Sequence, residues 1–357
     1  MPSYDNALQA GDAMIRRVEN DRQSLMRRET EAWLVDRCQA EFARGRNWSR
    51  DFQSTEAFVR SGESHRRAWS DALGEFSFTA EFNPRFEPFM EDDTLTAQWV
   101  FIRLADGLEA RAALAMPKQR SGQLPLVLAQ HGIASTPERV FGLGDPDNLY
   151  HHYGRELVRA GFAVLAPSNI TEGKPRARLQ RLCLLQGRTL AGLEVGKLRR
   201  LIDFAVTLPE IDPERIGMWG ISLGGFYTMF TLPLEARIKA GIICAWFNDR
   251  FNKMAVSSPL YSSFLDADEE HIWIPGWLAG GFGDAELISL ICPRAVQIQQ
   301  GKGDGIGWWP LQRAEFERAK MPYDKLGLAD RIDYAGHEGG HEILVERGIA
   351  FLQQWLG

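Results

Sequence analysis

The stretch Gly220-Ile221-Ser222-Leu223-Gly224, with Gly225 directly after it, joins an apolar run to a helix-compatible one, FYTMFTL. A serine presented on so sharp a strand-to-helix turn needs small neighbours two positions to either side, or the backbones collide. The start of the following helix aims backbone N–H groups at the same place. The chemistry this suits is attack of a hydroxyl on a carbonyl, with the resulting negative charge held by amides. Such a serine needs a base, and the base needs an acid to orient it. Asp304, in Gly301-Lys302-Gly303-Asp304, and His341, in Gly339-Gly340-His341-Glu342, follow in the order acid then base, each just past an apolar run.

Each candidate has a rival. Asp284 precedes the apolar run at 295–300 instead of following it, which places it at the opposite end of a sheet. His337 lies four residues before His341, whose two preceding glycines give its loop freedom to reach Ser222. His337-Glu338-Gly339-Gly340-His341 also spells H-E-x-x-H. That motif binds zinc only on a helix, and two consecutive glycines cost about 2 kcal/mol of helix propensity. No metal site is expected. The turn Gln130-His131-Gly132-Ile133-Ala134 follows another apolar run and would offer the Ile133 N–H to the serine, opposite that of Leu223. The His131 imidazole itself is read as structural. The glycine-rich run 301–307 matches neither a phosphate loop nor the dinucleotide fingerprint.

These residues need a frame. After Pro125, short apolar runs alternate with helical segments: 124–130, 162–166, 215–220, 238–246, 295–300 and 331–335. Leu198, Leu201, Ile202, Ala205 and Val206 keep helical spacing. Alternation of this kind implies a mostly parallel sheet covered on both faces, with chemistry at the carboxyl ends of its strands. The runs TAQWVFIRL and EARAALAMP, joined by Asp106-Gly107, predict an antiparallel hairpin at the edge. Residues 1–75 differ: twelve arginines, no lysine, thirteen acids, and apolar residues at helical spacing. Two or three amphipathic helices are expected there, broken near Gly45 to Ser54, as a cap or dimerisation element. Residues 76–357 then form the catalytic domain, with a lid insertion at 249–290.

The 357 residues are 45% apolar and 25% charged, with a net charge of −6, as in an ordinary soluble chain. Neither nucleic acid nor an anionic membrane is an expected partner. The four cysteines form no C-x-x-C pair, and no apolar window is long enough to span a bilayer. A cytoplasmic location is expected.

With these residues in hand, the chain resembles the α/β-hydrolase superfamily, and most of all its dienelactone-hydrolase-like and acetyl-xylan-esterase-like branch. The resemblance covers about residues 95–357. It rests on LPLVLAQHGIAS, GRTLAGLEVGKLRRLIDFAVTLPEIDPERIGMWGISLGG, ISLICPRAVQIQQGKGD and GGHEI. It implies Ser222 as nucleophile, Asp304 as acid, His341 as base, and the Leu223 and Ile133 amides as oxyanion hole. It also implies a small-molecule ester substrate and no cofactor. Where the branch often carries a glycine or aromatic residue after His-Gly, this chain has Ile-Ala-Ser. Trp246, Phe247 and Trp308, at strand ends, are candidates to line the substrate pocket. Cleavage of a carbon–carbon or peptide bond by the same residues is the main alternative, with Arg176, Arg178 or Arg181 recruited for an acidic substrate. A catalytically silent scaffold is a third reading, and homodimerisation through the N-terminal helices is a further expectation.

Overall fold

The computed structural model describes residues 4–144, 149–267 and 269–357. Nine strands form one sheet in the order β1-β2-β3-β5-β4-β6-β7-β8-β9. At one edge β1 (Arg85–Glu91), β2 (Leu95–Ala105) and β3 (Leu108–Pro117) run antiparallel, with Asp106-Gly107 turning β2 into β3. β3 pairs antiparallel with β5 (Ala163–Pro167). From β5 onward every pairing is parallel, through β4 (Leu124–Gln130), β6 (Ile211–Ile221), β7 (Ile238–Cys244), β8 (Ala295–Gly301) and β9 (Ile332–His337).

The parallel strands read as apolar runs because both faces are covered. In β4, Leu126 and Leu128 point into one core layer while Val127 and Ala129 point into the other. Two helices between β4 and β5 are α4 (Pro137–Val140) and α5 (Tyr153–Arg159). Then α6 (Gly173–Leu184) and α7 (Leu190–Ala205) lead into β6, and α8 (Leu223–Thr231) leads out of it. The connection from β7 to β8 holds α9 (Arg250–Ala255) and α10 (Asp284–Ile291); α11 (Trp309–Lys325) precedes β9, and α12 (Val345–Leu356) follows it. Leu198 and Leu201 of α7 and Phe226 and Phe230 of α8 fill one layer; Tyr153 and Leu157 of α5 and Phe351 and Leu352 of α12 fill the other. The expected mostly parallel sheet with helices on both faces is present. β1 was not legible from the sequence: its residues are exposed or half-buried and include Pro88, so no alternation marks it.

The N-terminal stretch divides in two. One long helix, α1 (Tyr4–Gly45), ends where the break was expected, and α2 (Thr55–Ser61) and α3 (Glu63–Leu73) follow. Phe58, Trp69 and Leu73 of α2 and α3 are fully buried in the main core, so these helices are part of the main body. The C-terminal half of α1 lies along that body, where Met26, Leu34 and Val35 line a groove with Met254, Leu265 and Trp273. Phe42 stacks on Phe251, and a Cβ on Gly45 would come within 2.7 Å of the Ala279 carbonyl. Just past the helix, Arg46 pairs with Glu286 at 3.0 Å and Glu315 at 2.9 Å. Among the described residues, no helix is long and apolar enough to cross a membrane.

One expectation needs correcting. Asp284 does not lie at the far end of the sheet. α10 runs opposite to the strands, so its first residue sits beside the carboxyl end of β7, where Asp284 accepts from the Asn248 N–H at 2.8 Å. Asp284 differs from a catalytic acid in another way: it is fully buried and clasped by Arg250 through two bonds of 2.8 and 2.7 Å. Removing one partner of such a pair strands the other charge in the core. Asp284→Ala is therefore expected to lose about 3–5 kcal/mol of stability, read as a lower urea midpoint at unchanged slope. Asp284→Leu combined with Arg250→Met should recover most of that loss. A midpoint unmoved by Asp284→Ala would overturn the structural role.

Candidate active site

Ser222 stands alone between β6 and α8 with φ 59° and ψ −119°. A side-chain-bearing residue in this region costs about 1–3 kcal/mol and needs surroundings that over-determine it. Here they do. The Ser222 N–H donates to the Cys244 carbonyl at 2.9 Å. A Cβ on Gly220 would lie 2.3 Å from the Gly224 carbonyl oxygen, one on Gly224 would lie 2.5 Å from that of Gln130, and one on Gly225 would lie 2.6 Å from that of Cys244. The glycines let the ends of β4, β6 and β7 close on one point, and Ser222 occupies it.

The loop after β4 lies against this turn: a Cβ on Gly132 would be 3.3 Å from the Ser222 Cβ. Ala134 adopts a left-handed φ of 52°, and the Gly132 N–H donates to the Tyr150 hydroxyl at 2.8 Å. Leu223 is the first residue of α8, where helical N–H groups lack intrahelical acceptors. Neither its N–H nor that of Ile133 has a hydrogen-bond acceptor among the described residues. His131 is fully buried. Its Nδ1 lies 2.9 Å from the Gly132 carbonyl, and its Nε2 accepts from the Asn169 N–H at 3.1 Å. An Nε2 that accepts must be unprotonated, so the ring is neutral, and burial pushes its pKa down to about 4. It braces the loop.

Across the sheet, β8 and β9 bring the other two candidates together. His341 Nδ1 and Asp304 Oδ2 are 2.9 Å apart. Asp304 also accepts from the Ile306 N–H at 3.0 Å and from Gln300 Nε2 at 3.3 Å, and it is almost wholly buried. A carboxylate so held fixes the ring through Nδ1 and leaves Nε2 to face a substrate or nucleophile. His337 is not on Asp304: its Nδ1 accepts from the Gly339 N–H at 3.2 Å. The H-E-x-x-H letters do not form a helix either, since His337 ends β9 and a bend follows. Among the described residues, no group of three or more potential metal ligands occurs. Cys244 links the halves of the site, accepting from the Ser222 N–H through its carbonyl while its thiol donates to the Glu342 carbonyl at 3.2 Å. No hydrogen bond joins the Ser222 hydroxyl to His341 among the described residues. Such contacts are often long without substrate and tighten when it binds.

The proposed pocket residues separate. Trp308 is 40% exposed, whereas Phe247 is fully buried and Trp246 nearly so, edge-on to Phe226 and stacked on Phe264. Phe247 thus offers no surface to a ligand. Arg176 is buried and donates to the Tyr227 hydroxyl at 2.6 Å and to the Ile170 carbonyl; Arg181 pairs with Glu270 at the surface. The insertion after β7 leans on the acid's loop, where the Ser262 N–H donates to the Gly305 carbonyl at 2.9 Å. Tyr150, Cys244 and Gln300 support the site, and no spacing in the sequence marks them.

No protein-family model matches the chain. YtaP of Bacillus subtilis, which carries a hydrolase name, is 26% identical over 260 residues, covering 70% of this chain and 84% of that protein. The 20-hydroxy-prefusarin hydrolase of Gibberella moniliformis is 26% identical over 244 residues, 64% of this chain but only 48% of the fungal protein. Among solved structures, a Bacteroides fragilis protein assigned as an acetyl xylan esterase superposes with a TM-score of 0.66 at 16% identity, covering 83% of this chain and 81% of its own. A glucuronoyl esterase from Caldicellulosiruptor kristjansonii gives 0.59 at 17% identity, covering 84% and 85%.

His131 gives this site a pH signature in stability. The unfolded ring binds a proton near pH 6.5, whereas the folded one resists it down to about 4. Stability is therefore expected to fall as pH drops from about 6.5 toward 4, by up to about 3 kcal/mol from this group. Urea midpoints measured across that range should be flatter for His131→Asn than for wild type. Parallel profiles would show that His131 does not carry the effect.

Proposed function

From a chain with the α/β-hydrolase fold and hydrolases among its relatives, we propose a serine carboxyl-ester hydrolase acting through an acyl-enzyme on Ser222. The observation that carries the reading is the 2.9 Å His341–Asp304 bond, set across from a serine in a left-handed strand-to-helix turn. In this reading His341 Nε2 takes the Ser222 proton as the hydroxyl attacks the ester carbonyl. The Leu223 and Ile133 N–H groups hold the oxyanion, and one such donor is worth about 3–4 kcal/mol. His341 then protonates the leaving alcohol. Water, activated by the same imidazole, cleaves the acyl-enzyme and restores Ser222. Asp304 keeps the imidazole in its Nδ1–H form and stabilises the cation that forms. No metal or organic cofactor enters the chemistry. Trp308 supplies the exposed aromatic surface nearest the acid in sequence. The insertion resting on Gly305 forms the lid side of the mouth. The free cysteines, Cys38, Cys183, Cys244 and Cys292, suit a reducing, cytoplasmic compartment.

A p-nitrophenyl ester series from acetate to octanoate tests this. Ser222→Ala is expected to lose at least about 10⁴-fold in kcat, and Asp304→Asn about 10³–10⁴-fold, with KM little changed. The wild-type profile across acyl lengths sizes the pocket. Turnover that survives in Ser222→Ala removes the nucleophile assignment. A wild type inert on every aryl ester but active on a β-diketone moves the same residues to carbon–carbon bond hydrolysis.

A further inference from the structure

We propose that Tyr150 positions the oxyanion hole, and that residues 149–152 tie that hole to the loop carrying the base. Both roles rest on Ser222 being the nucleophile of an ester hydrolase. Tyr150 is buried, and its hydroxyl accepts from the Gly132 N–H at 2.8 Å. Gly132 is caught between two groups. A Cβ there would lie 3.3 Å from the Tyr150 hydroxyl and 3.3 Å from the Ser222 Cβ. The tyrosine thus stands across the loop from the nucleophile and fixes how closely the backbone approaches it. With the Gly132 N–H engaged, the next peptide has little freedom to turn. Its N–H belongs to Ile133 and has no acceptor among the described residues. The Tyr150 ring stacks on Tyr153 at 6.3 Å between centroids, and the Tyr153 hydroxyl donates to the Gln130 carbonyl at 3.1 Å. Two tyrosines therefore hold the turn after β4, one at Gln130 and one at Gly132.

The same short segment reaches the base. The Leu149 carbonyl accepts from the Ile343 N–H at 3.0 Å, and His151 Nε2 lies 2.9 Å from the Glu342 carboxylate. Glu342 directly follows His341, and its other oxygen accepts from the Gly340 N–H at 3.3 Å. Leu149 and His151 therefore hold the base's loop, while Tyr150 between them holds the loop of the oxyanion hole. The backbone is bent to make this possible. His151 and His152 have φ of 47° and 45°, a left-handed state that residues with side chains seldom adopt. Such a state persists only where surrounding contacts over-determine it. The His151 and Glu342 side chains are 42% and 33% exposed, so their pairing adds little to overall stability. Its effect belongs to alignment, and is to be sought in catalysis.

Inhibition by an aryl trifluoromethyl ketone tests these roles. The Ser222 oxygen adds to the ketone carbon, the hydroxyl proton passes to His341, and the carbonyl oxygen becomes an anion in the hole. Its affinity therefore reports oxyanion binding. Tyr150→Phe is expected to lower kcat on p-nitrophenyl esters about 10- to 100-fold with KM little changed. The ketone should weaken by a similar factor. Simple damage would reduce the fraction of active enzyme and leave the inhibition constant unmoved. His151→Asn, which puts a residue tolerant of left-handed backbone there, should lose several-fold in kcat at an unchanged urea midpoint. The double variant should lose less than the product of the two single losses, because both act through one segment. Turnover and inhibition equal to wild type in Tyr150→Phe would overturn the tyrosine's role and leave Ser222 in place. An indifferent His151→Asn, or losses that multiply, would overturn the tie to the base. A wild type that does not bind the ketone, with Ser222→Ala as active as it is, removes the esterase reading and both roles with it.

Discussion

The close approach of three backbones at the end of β6 is the constraint on which the rest of this molecule depends. With Gly220, Gly224 and Gly225 in place, the Gln130 carbonyl, the Cys244 carbonyl and the first turn of α8 all meet the chain at distances no side chain would permit. That crowding holds Ser222 at a positive φ, and the loop after β4 is brought beside it. Sheet order and site chemistry are therefore one fact. β4 and β7 are the two neighbours of β6, so the strands that flank the serine also supply the surfaces that brace it. A methyl group at any of the three glycines would push apart the core layers as well as the site.

Asp304 and His341 follow the strands β8 and β9, and their support differs in kind from that of Ser222. Ser222 is held by backbone packing, whereas His341 is held by one buried carboxylate that itself takes bonds from Ile306 and Gln300. Cys244 is the physical link, with its carbonyl on the Ser222 N–H and its thiol on the carbonyl of Glu342, next to His341. The insertion reaches the same loop through Ser262 and Gly305.

Most of the frame was legible because burial on both faces writes itself as apolar runs; β4 and β8 were read almost residue for residue. β1 was not, since an exposed edge strand containing Pro88 has no pattern to betray it. Asp284 was misplaced for a topological reason: sequence order gives its position relative to a strand but not the direction of the helix it begins. Trp246 and Phe247 lie at a strand end, as expected, yet face the core, because the chain turns inward after β7, with Ala245 at a left-handed φ of 50°. Tyr150 escaped notice altogether. Its role depends on a loop folding back to Gly132, and loop paths leave no periodic trace.

The long first helix changes how the molecule moves through solvent. Its 42 residues extend about 63 Å, and the packed contacts of Val35 and Phe42 lie in its last third. A 40.3 kDa chain carrying such a spar has far more friction than a sphere of equal mass. It should leave a gel-filtration column early and show a long tail in its X-ray scattering distance distribution.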